Sequence, residues 1–463
     1  VILVHGVNST GEWYQNAEVS LCAGLNKRLG LDGTEFELKE NIYTNDGSVS
    51  FDDGILKIQS KPPLTERQLL KDSERSPIVR FYWGYSSCPG EEGKYIIPLA
   101  NKQGEDYHTL KQQGLSHGEI KNKGPFFWGG GPFQNGTNNL HALWSEVGFD
   151  ENVLGISGIK TQWANEDLDR LLTNAPPRKY YAHAAKRLAD LLDLIREKYP
   201  RDTVSIISHS QGTMVALAAT ALAKQAPDSL FVLNSPYAMS NPSLYGVYLL
   251  PGNENISVSG RESTLSAIVS KVAKRKTHLS DQGYDELCVG QSADKKNWRP
   301  DIQHIVKNSS TGESIAIPER DNHGRTWIYF CPHDRVMGSL PLRSIGWQGL
   351  PNDEKGKPHK LIRQHKGDLF QRMLARCTPC GYAPNPKTPF AALPDGKYFW
   401  DDKGDKYQSS STTYPDPPAK QTVYINAEQV PEPLLATELA DFDQTRVGKK
   451  HGIEQDDGWG EVN

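Results

Sequence analysis

The stretch VSIISHSQGTMVALAA, residues 204–219, constrains the fold of this chain more than any other. Its first half is rich in β-branched residues, which is typical of a strand buried on both faces. Its second half is an alanine-rich run, typical of a helix that packs closely against a sheet. The two halves meet at SHSQG, residues 208–212, and this pentapeptide predicts an abrupt turn from strand to helix.

The pentapeptide resembles the nucleophile elbow of the α/β-hydrolases, G-x-S-x-G, with Ser208 at the first glycine and Gly212 at the second. The elbow is tight and strained, so it needs small residues two positions before and two positions after the nucleophile. In this interpretation Ser210 is the catalytic nucleophile, and the Gln211 N–H points at the oxyanion of the reaction intermediate. The alternative is an ordinary turn in which the serine only caps a helix.

A second stretch, VILVHG at the start of the chain, supports the catalytic interpretation. In α/β-hydrolases, His-Gly after an early strand marks the loop that supplies a second oxyanion donor. Here that donor is predicted to be the Val7 N–H, and His5 is expected to fix the loop by hydrogen bonding. An ordinary strand end is the alternative.

Strand and helix patterns alternate along the rest of the first 350 residues. This alternation predicts an α/β fold, with a mostly parallel sheet covered by helices on both faces, as in the α/β-hydrolases. Strands are predicted at 1–4, 78–85, 204–207 and 327–331, and a short strand with its end loop at 229–237. Amphipathic helices are predicted at 180–199 and 261–276.

The pattern weakens in two regions, which suggests a decorated core. Residues 1–350 are predicted to form the core, including an insertion at 86–166 that carries the aromatic and glycine-rich stretch GPFFWGGGPF. This stretch suits either a lid that contacts lipid or a loop whose aromatic side chains form a satellite core. Residues 351–463 are predicted to form a C-terminal extension or second lobe, with a possible return to the core.

A nucleophilic serine needs a histidine base and an acid that orients it, and in this fold both follow the serine in the chain. Asp334 lies just after a predicted strand, where the acid is expected, although a turn residue paired with Arg335 would look the same. His451 is the predicted base because it lies in a glycine-flanked loop after a strand-like segment. His359 and His365 are the alternatives, as is a base outside the chain.

Composition excludes several classes of function. A net charge of −4 over 463 residues argues against a nucleic-acid-binding protein. No apolar run approaches the roughly 20 residues that span a membrane. The pair Cys377 and Cys380 could oxidise or bind a metal, but no second pair has zinc-finger spacing, so we interpret it as structural and expect neither a metal nor a cofactor. No signal peptide is visible, and a start without methionine inside a predicted strand suggests a fragment.

Five motifs in this order, HGVNSTGEWY, RFYWGY, SHSQGT, CPHDRVMG and SIGWQG, resemble the type VI secretion lipase effectors, nearest their third family. The resemblance covers about residues 1–349. It implies an antibacterial phospholipase that is injected into a rival bacterium and cleaves membrane phospholipid esters in the periplasm. It also implies a cognate immunity protein in the producing cell, and loading onto a secretion spike, sometimes through an adaptor protein.

The residues themselves, without the resemblance, predict serine ester hydrolysis through an acyl-enzyme intermediate. Two other functions stay open at this point. A serine peptidase or amidase would use the same triad, and a catalytically silent hydrolase fold would serve only to bind a partner.

Overall fold

The structure is a computed structural model. It describes residues 1–43, 76–95, 99–152, 159–164, 172–239, 256–276, 322–331, 334–338, 344–351 and 357–373, apart from 89, 102 and 201, and the single positions 342 and 355. It also describes the backbone of seven short strands, at 48–52, 55–59, 70–72, 303–307, 314–318, 423–425 and 428–430.

The strands within this part of the chain are β1 (Ile2–Val4), β2 (Ile42–Tyr43), β3 (Ser48–Asp52), β4 (Ile55–Gln59), β5 (Leu70–Asp72), β6 (Val79–Phe81), β7 (Gly84–Ser86), β8 (Phe127–Gly129), β9 (Ser205–His209), β10 (Ser229–Leu233), β11 (Gln303–Lys307), β12 (Ser314–Pro318), β13 (Arg325–Phe330), β14 (Leu369–Met373), β15 (Val423–Ile425) and β16 (Glu428–Val430). The helices are α1 (Tyr14–Leu29), α2 (Tyr107–Gln112), α3 (His117–Lys121), α4 (Lys179–Lys198), α5 (Gln211–Leu222), α6 (Val258–Ala273), α7 (Arg335–Gly338), α8 (Ile345–Gln348) and α9 (Lys360–Gln364).

Six strands form one parallel sheet in the order β14, β13, β10, β9, β1, β6, which confirms the predicted α/β fold with a mostly parallel sheet. The chain runs from β1 to its neighbour β6, and then returns to the other side of β1 and moves outward from β9 to β14. The loops that follow β1 and β9 therefore leave the sheet in opposite directions. Such a switch point, at the carboxyl ends of parallel strands, is where α/β proteins bind ligands.

Side chains of the sheet alternate between two apolar cores. The larger core contains Ile2, Val4 and Ile206 together with residues of α4, α5 and α6. The second core, on Leu3 and Ile78, includes Tyr14 of α1. Residues 211–220 of α5 are all buried, as expected for a helix that packs on more than one side. No helix in the described part of the chain is long and apolar enough to cross a membrane.

The predicted strand at 78–85 is divided between two sheets. β6 pairs with β1, whereas β7 pairs antiparallel with β8 of the insertion. Tyr85 belongs with Phe126 to a separate apolar cluster built mostly from the insertion, whose buried members are Tyr85, Tyr95, Leu99, Tyr107, Leu110, Ile120 and Phe126. Phe126 is fully buried there, and Trp128 packs against the same cluster. These two aromatic side chains thus lie in a satellite core.

The chain returns to the main sheet after residue 350. Strand β14 pairs in parallel with β13, from Thr326 opposite Leu369 to Phe330 opposite Met373. Helix α9 leads into this edge strand. The predicted C-terminal extension therefore contributes one strand of the central sheet.

Candidate active site

Ser210 stands at the corner between β9 and α5 in a conformation that few residues other than glycine adopt. Its φ is 53° and its ψ is −133°. Its N–H donates a hydrogen bond of 2.9 Å to the Leu233 carbonyl oxygen at the end of β10. Such a backbone conformation costs about 1–3 kcal/mol and persists only where the surroundings enforce it. Strained residues of this kind cluster at functional sites, so the corner itself points to function.

Two glycines enforce the corner. A Cβ on Gly212 would lie 2.1 Å from the His5 carbonyl oxygen, and a Cβ on Gly6 would lie 2.8 Å from the Ser210 Cβ and 3.1 Å from its Oγ. Neither position has room for a side chain. The end of β1, the loop that follows it and the first turn of α5 are consequently in direct contact, and Ser210 lies beside Gly6.

The two predicted oxyanion donors flank this corner. Gln211 is the first residue of α5 and is buried, and Val7 follows Gly6 directly. Among the described residues, neither the Gln211 N–H nor the Val7 N–H has a hydrogen-bond acceptor. Amide groups at a helix start are available to an anion because they have no partner within the helix. The Gln211 N–H at the start of α5 fits this description, and the Val7 N–H in the neighbouring loop stays the second predicted donor.

His5 fixes the loop after β1, as the sequence predicts. Its Nδ1–H donates to the Gly6 carbonyl oxygen at 2.8 Å, and its Nε2 accepts the Trp83 N–H at 3.3 Å. The Trp83 indole N–H donates to the His5 carbonyl oxygen, and the two rings stack. Burial lowers the pKa of His5 from 6.5 to about 4. The ring is therefore neutral at physiological pH, in the tautomer that carries its proton on Nδ1.

Asp334 lies four residues after β13 and is buried. Its Oδ1 accepts the N–H groups of Val336 and Met337, both at 3.0 Å, and its Oδ2 accepts the Asn234 Nδ2–H at 2.7 Å. Ser210, Asn234 and Asp334 follow the adjacent strands β9, β10 and β13. The structure therefore brings the predicted nucleophile and the predicted acid to one edge of the sheet, two strands apart.

Asn234 is a member of this cluster that the sequence motifs do not predict. Asn234 has a φ of 48°, and its N–H donates to the Tyr329 carbonyl oxygen at 2.9 Å. A sequence signal for it exists, since asparagine tolerates positive φ better than most residues and here directly follows a strand. The local sequence does not reveal that Asn234 pairs with Asp334, which lies 100 residues later in the chain.

The structure describes the contacts of two of the three candidate histidines. His359 caps α9 by accepting the Leu361 N–H, and its Nε2 lies 3.5 Å from Glu262 Oε1. His365 Nε2 lies 2.7 Å from the Ser266 hydroxyl of α6. Neither ring is hydrogen-bonded to Ser210 or Asp334 within the described residues. His451 lies outside the described residues, so its role stays a prediction.

Gly212→Ala should destabilise the fold, because the added methyl group would overlap the His5 carbonyl oxygen. We expect the free energy of unfolding to fall by about 1–3 kcal/mol or more in urea denaturation. Gly24→Ala is the matched control, since it lies within α1 and a Cβ there would meet nothing within 4 Å. Alanine at that position should stabilise by roughly 0.5–1 kcal/mol. Equal stability of the two variants would contradict the close contact.

The buried neutral His5 should make stability depend on pH. Its pKa is about 4 in the folded chain and about 6.5 when unfolded. Between these values the unfolded chain binds more protons, so the free energy of unfolding should fall by up to about 3 kcal/mol as pH decreases from 6.5 to 4. A His5→Gln variant should lose this part of the slope in urea titrations at several pH values. His183→Gln, at an exposed position of α4, should keep it, and parallel slopes for all three proteins would refute the assignment.

Comparison with known proteins identifies the family of this chain. The family model of the type VI secretion system (T6SS) Tle3 phospholipase effector domain matches residues 1–351, which include the Ser210 corner, the Val7 loop and Asp334. The chain is also 30% identical over 465 residues to the antibacterial effector protein Tle3 of Pseudomonas aeruginosa. That alignment covers 96% of this chain and 61% of the Pseudomonas protein, so the chain spans about three fifths of the length of this relative. The chain belongs to the family of T6SS Tle3 phospholipase effectors.

Proposed function

We propose that this chain is the hydrolase part of an antibacterial phospholipase toxin, and that it cleaves carboxylic esters of membrane phospholipids with Ser210 as nucleophile on an α/β-hydrolase fold. The observation that carries the proposal is the strained corner at Ser210, with a φ of 53°, between Gly6 and Gly212 at the switch point of the sheet. An ordinary strand-to-helix turn has no need of that strain.

In the proposed mechanism the Ser210 hydroxyl oxygen attacks the ester carbonyl carbon while a histidine takes the hydroxyl proton. The carbonyl oxygen becomes an oxyanion and accepts the N–H groups of Val7 and Gln211. Collapse of this intermediate releases the alcohol part of the lipid, protonated by the histidine, and leaves an acyl group on Ser210. A water molecule, deprotonated by the same histidine, then releases the fatty acid and restores the serine.

Asp334 is the proposed acid that orients the histidine. Three donors, the N–H groups of Val336 and Met337 and the Asn234 side chain, hold its carboxylate in one orientation. A fixed carboxylate would select the histidine tautomer that accepts a proton from Ser210, and would stabilise the imidazolium formed during the reaction. We keep His451 as the proposed base, since the contacts of His359 and His365 engage other parts of the chain.

The biological setting of the proposal follows from the family. Relatives named as T6SS phospholipase effectors and as an antibacterial effector support delivery by the type VI system into a rival cell, with phospholipid as the substrate. We place the reaction in the periplasm of the target cell. A cognate immunity protein would protect the producing cell, and a secretion spike or adaptor protein would carry the toxin.

Ser210→Ala should abolish hydrolysis while leaving the fold intact. Nucleophile removal from such triads lowers turnover by roughly 10⁶-fold. The test is lipid mass spectrometry of phosphatidylethanolamine and phosphatidylglycerol vesicles after incubation with each protein, together with covalent labelling by a fluorophosphonate. Ser205→Ala is the matched control, because Ser205 lies at the opposite end of the same strand and contacts Ser229. Retention of more than a few per cent of activity by Ser210→Ala would overturn the proposal.

His451→Ala should remove the ester hydrolysis that depends on Ser210, whereas His359→Ala and His365→Ala should retain it. Wild-type activity should rise with pH through about 6.5, since the histidine must be uncharged to accept the serine proton. The measurement is the initial rate on a soluble ester between pH 5 and 8, with circular dichroism to show that each variant is folded. Loss of activity in folded His359→Ala, with activity kept in His451→Ala, would move the base to His359.

A further inference from the structure

One segment of the insertion, residues 127–139, contacts the loop that carries Val7; we call it the bracing segment. The Asn8 N–H donates to the Gly131 carbonyl oxygen at 2.9 Å, and the Ser9 N–H donates to the Gly129 carbonyl oxygen at 3.3 Å. The Gly130 N–H donates to the Trp83 carbonyl oxygen at 2.9 Å. The backbone that follows Val7 is therefore hydrogen-bonded to this segment on both sides of Gly130.

The contact leaves no room for side chains. A Cβ on Gly130 would lie 2.1 Å from the Gly6 carbonyl oxygen and 2.7 Å from the Val7 Cα, and a Cβ on Gly129 would lie 2.2 Å from the Ser9 carbonyl oxygen. The backbone of the bracing segment therefore packs directly on the backbone of the proposed oxyanion loop. Contact between two backbones fixes distances more tightly than contact through flexible side chains.

The same segment also holds the second donor residue. The Thr137 N–H donates to Gln211 Oε1 at 3.1 Å, and the Gln211 Nε2–H donates to Thr137 Oγ1 at 3.0 Å. Gln211 is 2% exposed and Thr137 is 1% exposed, so water does not compete for these bonds. The two reciprocal bonds fix the Gln211 side chain, and with it the start of α5 where the Gln211 N–H lies.

The bracing segment is itself anchored to the core. The Asn138 carbonyl oxygen accepts the Ala238 N–H at 2.9 Å and a guanidinium N–H of Arg261 at 3.2 Å. The Asn135 side chain donates to the Pro176 carbonyl oxygen at 2.7 Å. These bonds connect the segment to the loop after β10, to α6 and to the residues that precede α4. It is therefore a fixed reference against which both donors are placed.

We propose that the bracing segment sets the spacing of the two oxyanion donors, with Thr137 and the Gln211 side chain as positioning residues. The proposal rests on the proposed function, since it takes Val7 and Gln211 as the donors. An oxyanion hole works only when its donors lie 2.7–3.1 Å from the developing charge, and loss of one donor lowers kcat by about 10²–10³-fold. A donor that is displaced but still present should lower kcat less, by about tenfold.

The test compares Thr137→Val with Thr220→Val. Both residues are buried and each hydroxyl makes a hydrogen bond, but among the described residues the partner of the Thr220 hydroxyl is the Ala216 carbonyl oxygen within α5. Thr137→Val should lower kcat on a soluble p-nitrophenyl ester by about tenfold, with KM changed less than about twofold. The second-order rate of fluorophosphonate labelling should fall equally, because that adduct also places an oxygen in the oxyanion hole. Thr220→Val should match wild type, and Thr137→Ser should restore the rate.

Thr137→Val removes only the bond from the Gln211 Nε2–H, since valine keeps the main-chain N–H that donates to Gln211 Oε1. Gln211→Met removes both bonds and keeps the Gln211 main-chain N–H, so it should lower kcat at least as much. The Gln211→Met variant tests the proposal if Thr137→Val does not fold. The proposal is overturned if either Thr137→Val or Gln211→Met is folded and has the same kcat and labelling rate as Thr220→Val. Failure of the proposed function is seen separately, as activity that survives Ser210→Ala.

Discussion

The contact between the first turn of α5 and the end of β1 is the constraint on which the rest of the site depends. The helix can approach this strand only because Gly212 has no side chain, as a Cβ there would lie 2.1 Å from the His5 carbonyl oxygen. That approach places Gly6 against Ser210 and closes the corner between two loops that leave the sheet in opposite directions. Packing from both sides then holds Ser210 at a positive φ, which the local sequence alone would not favour.

Buried polar side chains of the insertion lie at the carboxyl edge of the sheet. Loops lack the regular backbone hydrogen bonds of a helix or strand, and here hydrogen bonds of these side chains hold them instead. Five polar residues of the bracing segment are at most 9% exposed: Gln134, Asn135, Thr137, Asn138 and Asn139. Buried amides destabilise a fold unless they are hydrogen-bonded. Asn135 is paired on both ends, donating to the Pro176 carbonyl oxygen and accepting the Phe149 N–H. A loop held in this way can be as rigid as a strand. Rigidity suits the proposed site, where the oxyanion donors must keep fixed distances from Ser210.

Local sequence patterns predict the parts of the fold that depend on local chemistry. The corner at Ser210 follows from a strand pattern, a small-residue turn and an alanine-rich helix that are contiguous in the chain. The role of His5 follows from its place at the end of a strand. Asn234 and Thr137 could not be found in the same way, because each is hydrogen-bonded to a partner far away in sequence, Asp334 and Gln211 respectively. Strand β14 is not predicted as part of the core, which is expected to end at residue 350. Its place in the sheet depends on pairing with β13, and local sequence does not reveal such a pairing.

The departure from the usual elbow motif at Ser208 also has a physical explanation. Ser208 is fully buried, and its Oγ donates to the Phe231 carbonyl oxygen of β10 at 2.8 Å. Its hydroxyl is therefore satisfied, and burial of the side chain carries no penalty for an unpaired polar group. Gly6 and Gly212 are positions that exclude a Cβ at this corner, the first against Ser210 and the second against the His5 carbonyl oxygen. The first small residue of the motif can thus be serine here, since the steric demand falls on the loop after β1 and on the first turn of α5.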